Sequence, residues 1–215
     1  MYRLVEICRG AVSLVLPNRC PFCDDIVGMT EYWCSACYEK LPYMEQPAEL
    51  PEYLDGLLSC CHYRGRARSA ILRMKRGHYI YAPEAFAVMM AEVGGELIQQ
   101  ADIVTFVPST FGRRTELGYA HAERIARDIS RRGRKRCRSL MKISGKKQEQ
   151  KKLNREERFE NARNAYEIVN KKYIVGNNIL IVDDVCTTGA TLSAIAAQLK
   201  AAGAAKVFAL TFAQA

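Results

Sequence analysis

Two adjacent aspartates followed by a turn rich in threonine and glycine are the residues of this chain whose types and spacing best suit chemistry. Asp183 and Asp184 come directly after the apolar run at residues 179–182, and an alanine-rich stretch follows the turn. The turn offers hydroxyls and backbone N–H groups at the start of a helix, where anions bind. Its candidate binding residues are Thr187, Thr188, Gly189 and Thr191. Carboxylates beside an anion site suit a ligand that carries both hydroxyl groups and a phosphate, such as a phosphorylated ribose.

Alternating strands and helices are expected to position this motif. The pattern predicts strands at about 57–63, 103–107, 179–183 and 206–212. It predicts helices at about 2–16, 66–76, 83–100, 117–132, 154–163 and 191–202. Such alternation implies an α/β fold with a mostly parallel sheet flanked by helices, and ligands of open sheets bind at the carboxyl ends of the strands. A strand followed by an ordinary threonine-capped helix is the alternative interpretation. A P-loop is excluded because no Gly-Lys-Ser/Thr follows the turn.

Four cysteines near the N-terminus form a second group with the potential for chemistry. They stand in two C-x-x-C units ten residues apart: Cys20, Cys23, Cys34 and Cys37. Two such turns can hold one tetrahedral Zn²⁺, and four protein ligands leave no open position, so this zinc would be structural. Disulfides or free core cysteines are the alternatives. We expect a small Cys₄ zinc module with a leading helix and a linker at residues 1–55, and the sheet domain at residues 56–215.

The chain is basic, and its charge is concentrated in two stretches. The 215 residues carry a net charge of +9, and residues 131–158 contain thirteen Lys/Arg against three acids. A second basic stretch covers residues 64–76. Such stretches suit phosphate-rich partners, although solvated loops are also commonly charged. No apolar run approaches the length of a membrane span and the N-terminus does not read as a signal peptide, so we expect no membrane insertion and a cytoplasmic location.

The aspartate and threonine motif resembles the PRPP-binding motif of type I phosphoribosyltransferases, where PRPP is 5-phosphoribosyl-1-pyrophosphate. In that family the acidic pair holds the ribose hydroxyls and the following loop surrounds the 5′-phosphate. The resemblance therefore implies a ribose clamp, and with it the catalytic positions, at Asp183 and Asp184. It implies a phosphate loop at the four turn residues, and Mg²⁺ bound together with PRPP.

The segment after the strand at 103–107 is a second candidate site on the same edge of the sheet. Type I phosphoribosyltransferases place their diphosphate-binding loop at this point. Arg113 and Arg114 could hold the diphosphate through their forked donors. The alternative is that both arginines are ordinary surface residues next to a helix.

A Cys₄ module joined to such a domain resembles the competence protein F (ComF-type) family. Tyr63-Arg64-Gly65 and Ile71-Leu72-Arg73-Met74-Lys75 are similar to the family's aromatic–Gly segment and its Leu-x-x-x-Lys helix. Further similarity lies in Val107-Pro108 and in a stretch that contains Gln148, Gln150, Leu153, Arg158 and Asn161. The chain departs from the family at residues 117–121, which read Leu-Gly-Tyr-Ala-His in place of Arg-Gly-Phe-Asn-Gln.

The resemblance implies a role in natural competence, with internalised single-stranded DNA and competence or recombination proteins as partners. The basic segment at 131–158 then has two interpretations, a DNA-binding surface or a loop that closes over PRPP. An active phosphoribosyltransferase with an unidentified acceptor is the alternative function, and a structural adaptor is the third. Thr187 stands where purine-salvage relatives acting on 6-oxopurines carry an acid, which argues against that substrate class.

Overall fold

The computed structural model describes residues 18–45, 50–77, 81–109, 120–144 and 165–215. Within them the helices are α1 (Ser35–Tyr38), α2 (Gly65–Lys75), α3 (Ala82–Val93), α4 (Gly95–Gln100), α5 (His121–Arg132) and α6 (Ala190–Ala201). The strands are β1 (Gly56–His62), β2 (Ile103–Phe106), β3 (Arg136–Cys137), β4 (Met141–Ile143), β5 (Tyr166–Ile168), β6 (Asn178–Cys186) and β7 (Lys206–Gln214). A short 3₁₀ helix spans Lys171–Tyr173.

Five strands form one parallel sheet in the order β1-β7-β6-β2-β3. The central strand β6 is apolar on both faces, which is typical of a sheet covered by helices on both sides. Leu180 and Val182 pack with the apolar residues of α2, α3 and α5, whereas Ile179 and Ile181 pack with those of α6. The two-residue alternation of side chains along a strand thus builds one core on each face of the sheet. The predicted α/β fold with a mostly parallel sheet is confirmed.

The prediction of one continuous helix at 83–100 is wrong, because α3 ends at Val93 and a separate helix, α4, starts at Gly95. Gly94 lies against β7, where a Cβ atom would be 2.6 Å from Cδ2 of Leu210. This contact admits only glycine, and glycine is a poor helix former. The break therefore lets the chain turn against the sheet at the point of closest approach.

Strand β6 is longer than predicted, because its pairing with β7 continues to Cys186 opposite Gln214. Asp183 and Asp184 therefore lie within the ladder, and the turn begins only at Thr187. The short strands β3, β4 and β5 were not predicted. Beyond β3, the basic segment contributes β4, which pairs antiparallel with β5. Leu140 and Met141 are buried. The many charged residues around them leave no apolar pattern from which a strand could be predicted.

Helices predicted at 2–16 and 154–163 lie outside the described residues, as do Arg113 and Arg114. In the part of the chain that is described, no helix combines the length and the apolar composition needed to cross a membrane.

Candidate functional site

A cavity of about 530 Å³ opens at the carboxyl ends of β2 and β6. The strands β2 and β6 bring the two predicted segments together, because Val107 N–H donates to the carbonyl oxygen of Val182 at 3.1 Å. Helices α5 and α6 both begin at this cavity, and their N-termini favour anions. The lining residues are Tyr63, Lys75, Val107, Pro108, Ser109, Ala120, His121, Ala122, Ile143, Tyr166, Asp183, Asp184, Val185, Thr187 and Thr191.

The two aspartates of the acidic pair have different electrostatic surroundings. Lys75 Nζ donates to Asp184 Oδ1 at 2.9 Å, and the Asp184 side chain is only 10% exposed. Burial, followed by the neighbouring charge of Asp184, raises the pKa of Asp183 from 3.8 to about 8. One carboxylate thus has a cationic partner while the other is held in a site that disfavours its charge. Carboxyl groups perturbed in this way inside a cavity are typical of functional sites.

Of the four predicted turn residues, Thr187 and Thr191 line the cavity, while Thr188 and Gly189 do not. Thr188 instead accepts a long hydrogen bond of 3.4 Å from the N–H of Ala190 at the start of α6. Gly189 has φ +73°, and a Cβ atom there would be 2.7 Å from Cγ of Pro51. Glycine is therefore required at this position by the turn and by its packing against Pro51.

Ser109 supplies a feature that the sequence did not single out. Its Oγ is buried and has no hydrogen-bond partner among the described residues, although the residue lines the cavity. A buried hydroxyl without a partner costs free energy, so a ligand oxygen in the cavity would satisfy it. Arg113 and Arg114, the candidate diphosphate ligands four and five residues farther on, lie outside the described residues.

Three further lining residues were missed as site residues: Lys75, His121 and Tyr166. Burial, with a smaller contribution from Asp183, raises the pKa of Tyr166 to about 12, so its hydroxyl stays protonated. Only the family-like Leu-x-x-x-Lys pattern pointed toward Lys75, and no local pattern could assign it to an aspartate 109 residues away.

The four predicted cysteine ligands come together in a single cluster. Their sulfur atoms all lie within 4.8 Å of one another, and those of Cys23 and Cys34 are 3.7 Å apart. Tetrahedral zinc with Zn–S bonds of about 2.3 Å needs sulfur atoms about 3.8 Å apart, so this ligand set fits Zn²⁺. All eight described cysteines are free, which excludes the disulfide alternative among them. The N-terminal cluster is therefore able to bind zinc.

The cysteine cluster is packed onto the sheet rather than tethered beside it. Phe22, between Cys20 and Cys23, lies 6.3 Å by ring centroids from both Phe86 and Phe212, and those two rings stack at 3.8 Å. Phe22 and Cys20 belong to the same buried cluster as β7 and α3. The zinc module and the sheet thus share a core.

A basic surface, defined here as residues 131–142, extends from the end of α5 through β3 and β4. It contains seven Lys/Arg and no acid, and Arg134 and Arg136 are exposed. Arg132 lies over the ring of Tyr32 at 5.8 Å, and Arg138 lies over that of Tyr173 at 5.3 Å. Aromatic rings therefore border the basic surface at two points.

Comparison with known families agrees with these two structural parts. Residues 11–48 match the model of the double zinc ribbon domain, and residues 117–215 match that of the phosphoribosyl transferase domain. Among curated proteins, none matches the chain. The first match contains four cysteines and no histidine, enough for one tetrahedral site. The phosphoribosyl transferase match covers both aspartates and the threonine turn, but it begins after Lys75 and Ser109. A segment similar to a zinc ribbon domain therefore precedes a segment similar to a phosphoribosyl transferase domain.

Proposed function

We propose that the chain binds PRPP, together with Mg²⁺, in the cavity at the ends of β2 and β6. Asp183 and Asp184 hold the ribose hydroxyls, and Thr187 and Thr191 contact the 5′-phosphate. The observation that carries this proposal is the acidic pair and threonine turn facing one cavity within a phosphoribosyl transferase domain. The N-termini of α5 and α6 add donors suited to a ligand with several phosphate groups, as does the Ser109 hydroxyl, which has no partner in the described part of the chain.

As a transferase, the protein would break the bond between C1 of the ribose and the diphosphate oxygen, and an acceptor nucleophile would form the new bond to C1. The pair Asp183 and Asp184 would hold the ribose while positive charge develops at C1. Bound Mg²⁺ would supply charge that stabilises the departing diphosphate. Binding of PRPP without turnover would correspond to a sensor function.

Calorimetric titration with Mg²⁺–PRPP tests the proposal. The double variant Asp183→Asn/Asp184→Asn should bind more than about 100-fold more weakly, because the hydrogen bonds from the ribose hydroxyls to both carboxyl groups are lost. Asp102→Asn is a matched control, since Asp102 accepts from Asn178 N–H at the opposite end of β6. Its affinity should equal that of the wild type. Wild-type protein that does not bind Mg²⁺–PRPP, or a double variant that binds normally, would refute the assignment.

We also propose, from the resemblance to the ComF-type family, that the protein acts in the cytoplasm on single-stranded DNA during natural competence, with competence or recombination proteins as partners. The basic surface at 131–142 supports this proposal, because single strands bind to positive surfaces bordered by aromatic rings. Arg134 and Arg136 are its exposed central cations.

Fluorescence anisotropy with a labelled single-stranded oligonucleotide, measured over a series of salt concentrations, tests this second proposal. Arg134→Gln/Arg136→Gln should reduce the slope of log affinity against log salt by about 1.4, at about 0.7 per lost phosphate contact. The control Lys40→Gln/Lys206→Gln removes two exposed charges elsewhere and should leave the slope unchanged. Equal slopes for the two double variants would exclude the basic surface as the DNA site.

A further inference from the structure

Helix α2 connects the two candidate sites of the molecule. Near its first turn, Arg66 Nη1 donates to Sγ of Cys37 at 2.7 Å. At its last residue, Lys75 Nζ donates to Oδ1 of Asp184 at 2.9 Å. The helix has eleven residues, so about 16 Å of rigid backbone joins a zinc ligand to the acidic pair.

The helix is held firmly between these ends. Its buried face consists of Ala67, Ala70, Ile71 and Met74, each at most 1% exposed. Arg73 adds a hydrogen bond of 2.6 Å from Nη2 to the carbonyl oxygen of Pro21, inside the first C-x-x-C unit. Two arginines of α2 therefore contact the cysteine module, so the position of the helix depends on that module.

Lys75 is suited to orienting the side chain of Asp184. A cation in the last turn of a helix is favoured by the helix dipole, and Lys75 is 34% exposed while Asp184 is almost buried. The ammonium group fixes the orientation of this carboxylate, so that its oxygen atoms are positioned to accept hydrogen bonds from a ligand. Lys75 and all of α2 precede the segment that matches the phosphoribosyl transferase domain.

We propose that Lys75 is a positioning residue for Asp184, and that Arg66, hydrogen-bonded to Sγ of Cys37, sets the position of α2 and hence of Lys75. Zinc binding thereby supports ligand binding at the other end of the helix. This inference rests on the proposed binding of PRPP. Contacts to metal ligands from outside the coordination sphere commonly contribute 10–100-fold to metal affinity, so the arginine contact also serves the zinc.

The first test does not need PRPP. Arg66→Gln should retain zinc at micromolar protein concentration, because structural zinc binds very tightly. Its α2 amides (Gly65–Lys75) should exchange hydrogen several-fold faster than in the wild type, and those of α6 (Ala190–Ala201) should not change. Arg68→Gln is the matched control, since Arg68 is exposed on the same helix. Equal exchange of α2 in the two zinc-loaded variants would overturn the coupling.

The second test measures Mg²⁺–PRPP affinity by calorimetry in the zinc-loaded proteins. Lys75→Met should bind about tenfold more weakly, as expected for loss of one charged hydrogen bond. Lys75→Arg should restore most of the affinity, which a merely structural role for the side chain would not predict. Arg66→Gln should bind more weakly than Arg68→Gln.

The outcomes separate the two proposals. Lys75→Met with wild-type affinity would refute the positioning role, even if Asp183 and Asp184 are essential. Wild-type protein that does not bind PRPP would overturn both the proposed function and the role of Lys75 in ligand binding. The exchange measurement would then decide the mechanical coupling by itself.

Discussion

Replacing Asp183 with asparagine should stabilise the ligand-free protein at neutral and alkaline pH while it weakens PRPP binding. Burial and the charge of Asp184 raise the pKa of Asp183 from 3.8 to about 8. Between these values the folded protein binds a proton that the unfolded chain has lost, so this group makes stability fall as pH rises. Asparagine has no charge to desolvate, and its Oδ1 can still accept the N–H of Asp184, as Asp183 does at 2.8 Å.

The upper limit of the effect follows from the shift of the pKa. A difference of about four units at 1.36 kcal/mol per unit gives about 5 kcal/mol above pH 8. Asp183 is partly open to the cavity, and water there weakens the penalty, so we expect about 1–2 kcal/mol. For a chain of this length that corresponds to a rise in Tm of about 2–8 °C.

Thermal unfolding of wild type and Asp183→Asn, measured between pH 6 and 8.5 with zinc present, provides the assay. The Tm difference should favour the variant increasingly as pH rises and should level off above about pH 8. Asp102→Asn should show no such trend. A Tm difference that is independent of pH, or a variant less stable at every pH, would refute the electrostatic reasoning. Stabilisation together with lost binding would identify Asp183 as a residue whose cost in stability serves function.

Three further predictions concern the elements that support the site. Phe22→Ala should lower the free energy of unfolding by about 3–5 kcal/mol, because Phe22 is 4% exposed within the core that the cysteine module shares with the sheet. Urea unfolding measures this change, and metal analysis should show unchanged zinc content. Unchanged stability would contradict the shared core. Gly189→Ala should lower the free energy of unfolding by about 2 kcal/mol or more, because Gly189 has φ +73° and an added Cβ atom would collide with Pro51. Gly95→Ala should change it by less than about 1 kcal/mol, because an added Cβ atom there would meet no other described part of the chain within 4 Å. Equal effects of the two substitutions on Tm would count against this reasoning. Cys20→Ser should release zinc and destabilise the N-terminal module, and metal analysis that finds full zinc in this variant would show that Cys20 is not a ligand.

The parts of the molecule that were predictable from sequence are those built from residues close together in the chain. The two C-x-x-C units specify their own turns, so the cluster of four cysteines followed from spacing alone. The β6–turn–α6 unit likewise combines an apolar run, two acids and a threonine turn within thirteen residues, 179–191. The alternation of such units was enough to predict a mostly parallel sheet, because parallel strands need helical crossovers.

Long-range packing decided the features that local patterns did not predict. The break at Gly94 depends on Leu210 of β7, and the extension of β6 to Cys186 depends on pairing with the end of β7. Short strands in the basic segment form because their partners are supplied from elsewhere in the fold.

The sequence by itself predicted the residues that we propose carry the chemistry: the acidic pair, the threonine turn and the four cysteines. Only the tertiary structure decided how they are used, since it pairs Asp184 with Lys75, withdraws Thr188 and Gly189 from the cavity lining, and sets Ser109 beside it. The physical reason is that residue type and spacing act within one turn or strand. The orientation of Asp184 depends instead on a side chain brought from 109 residues away by the packing of α2.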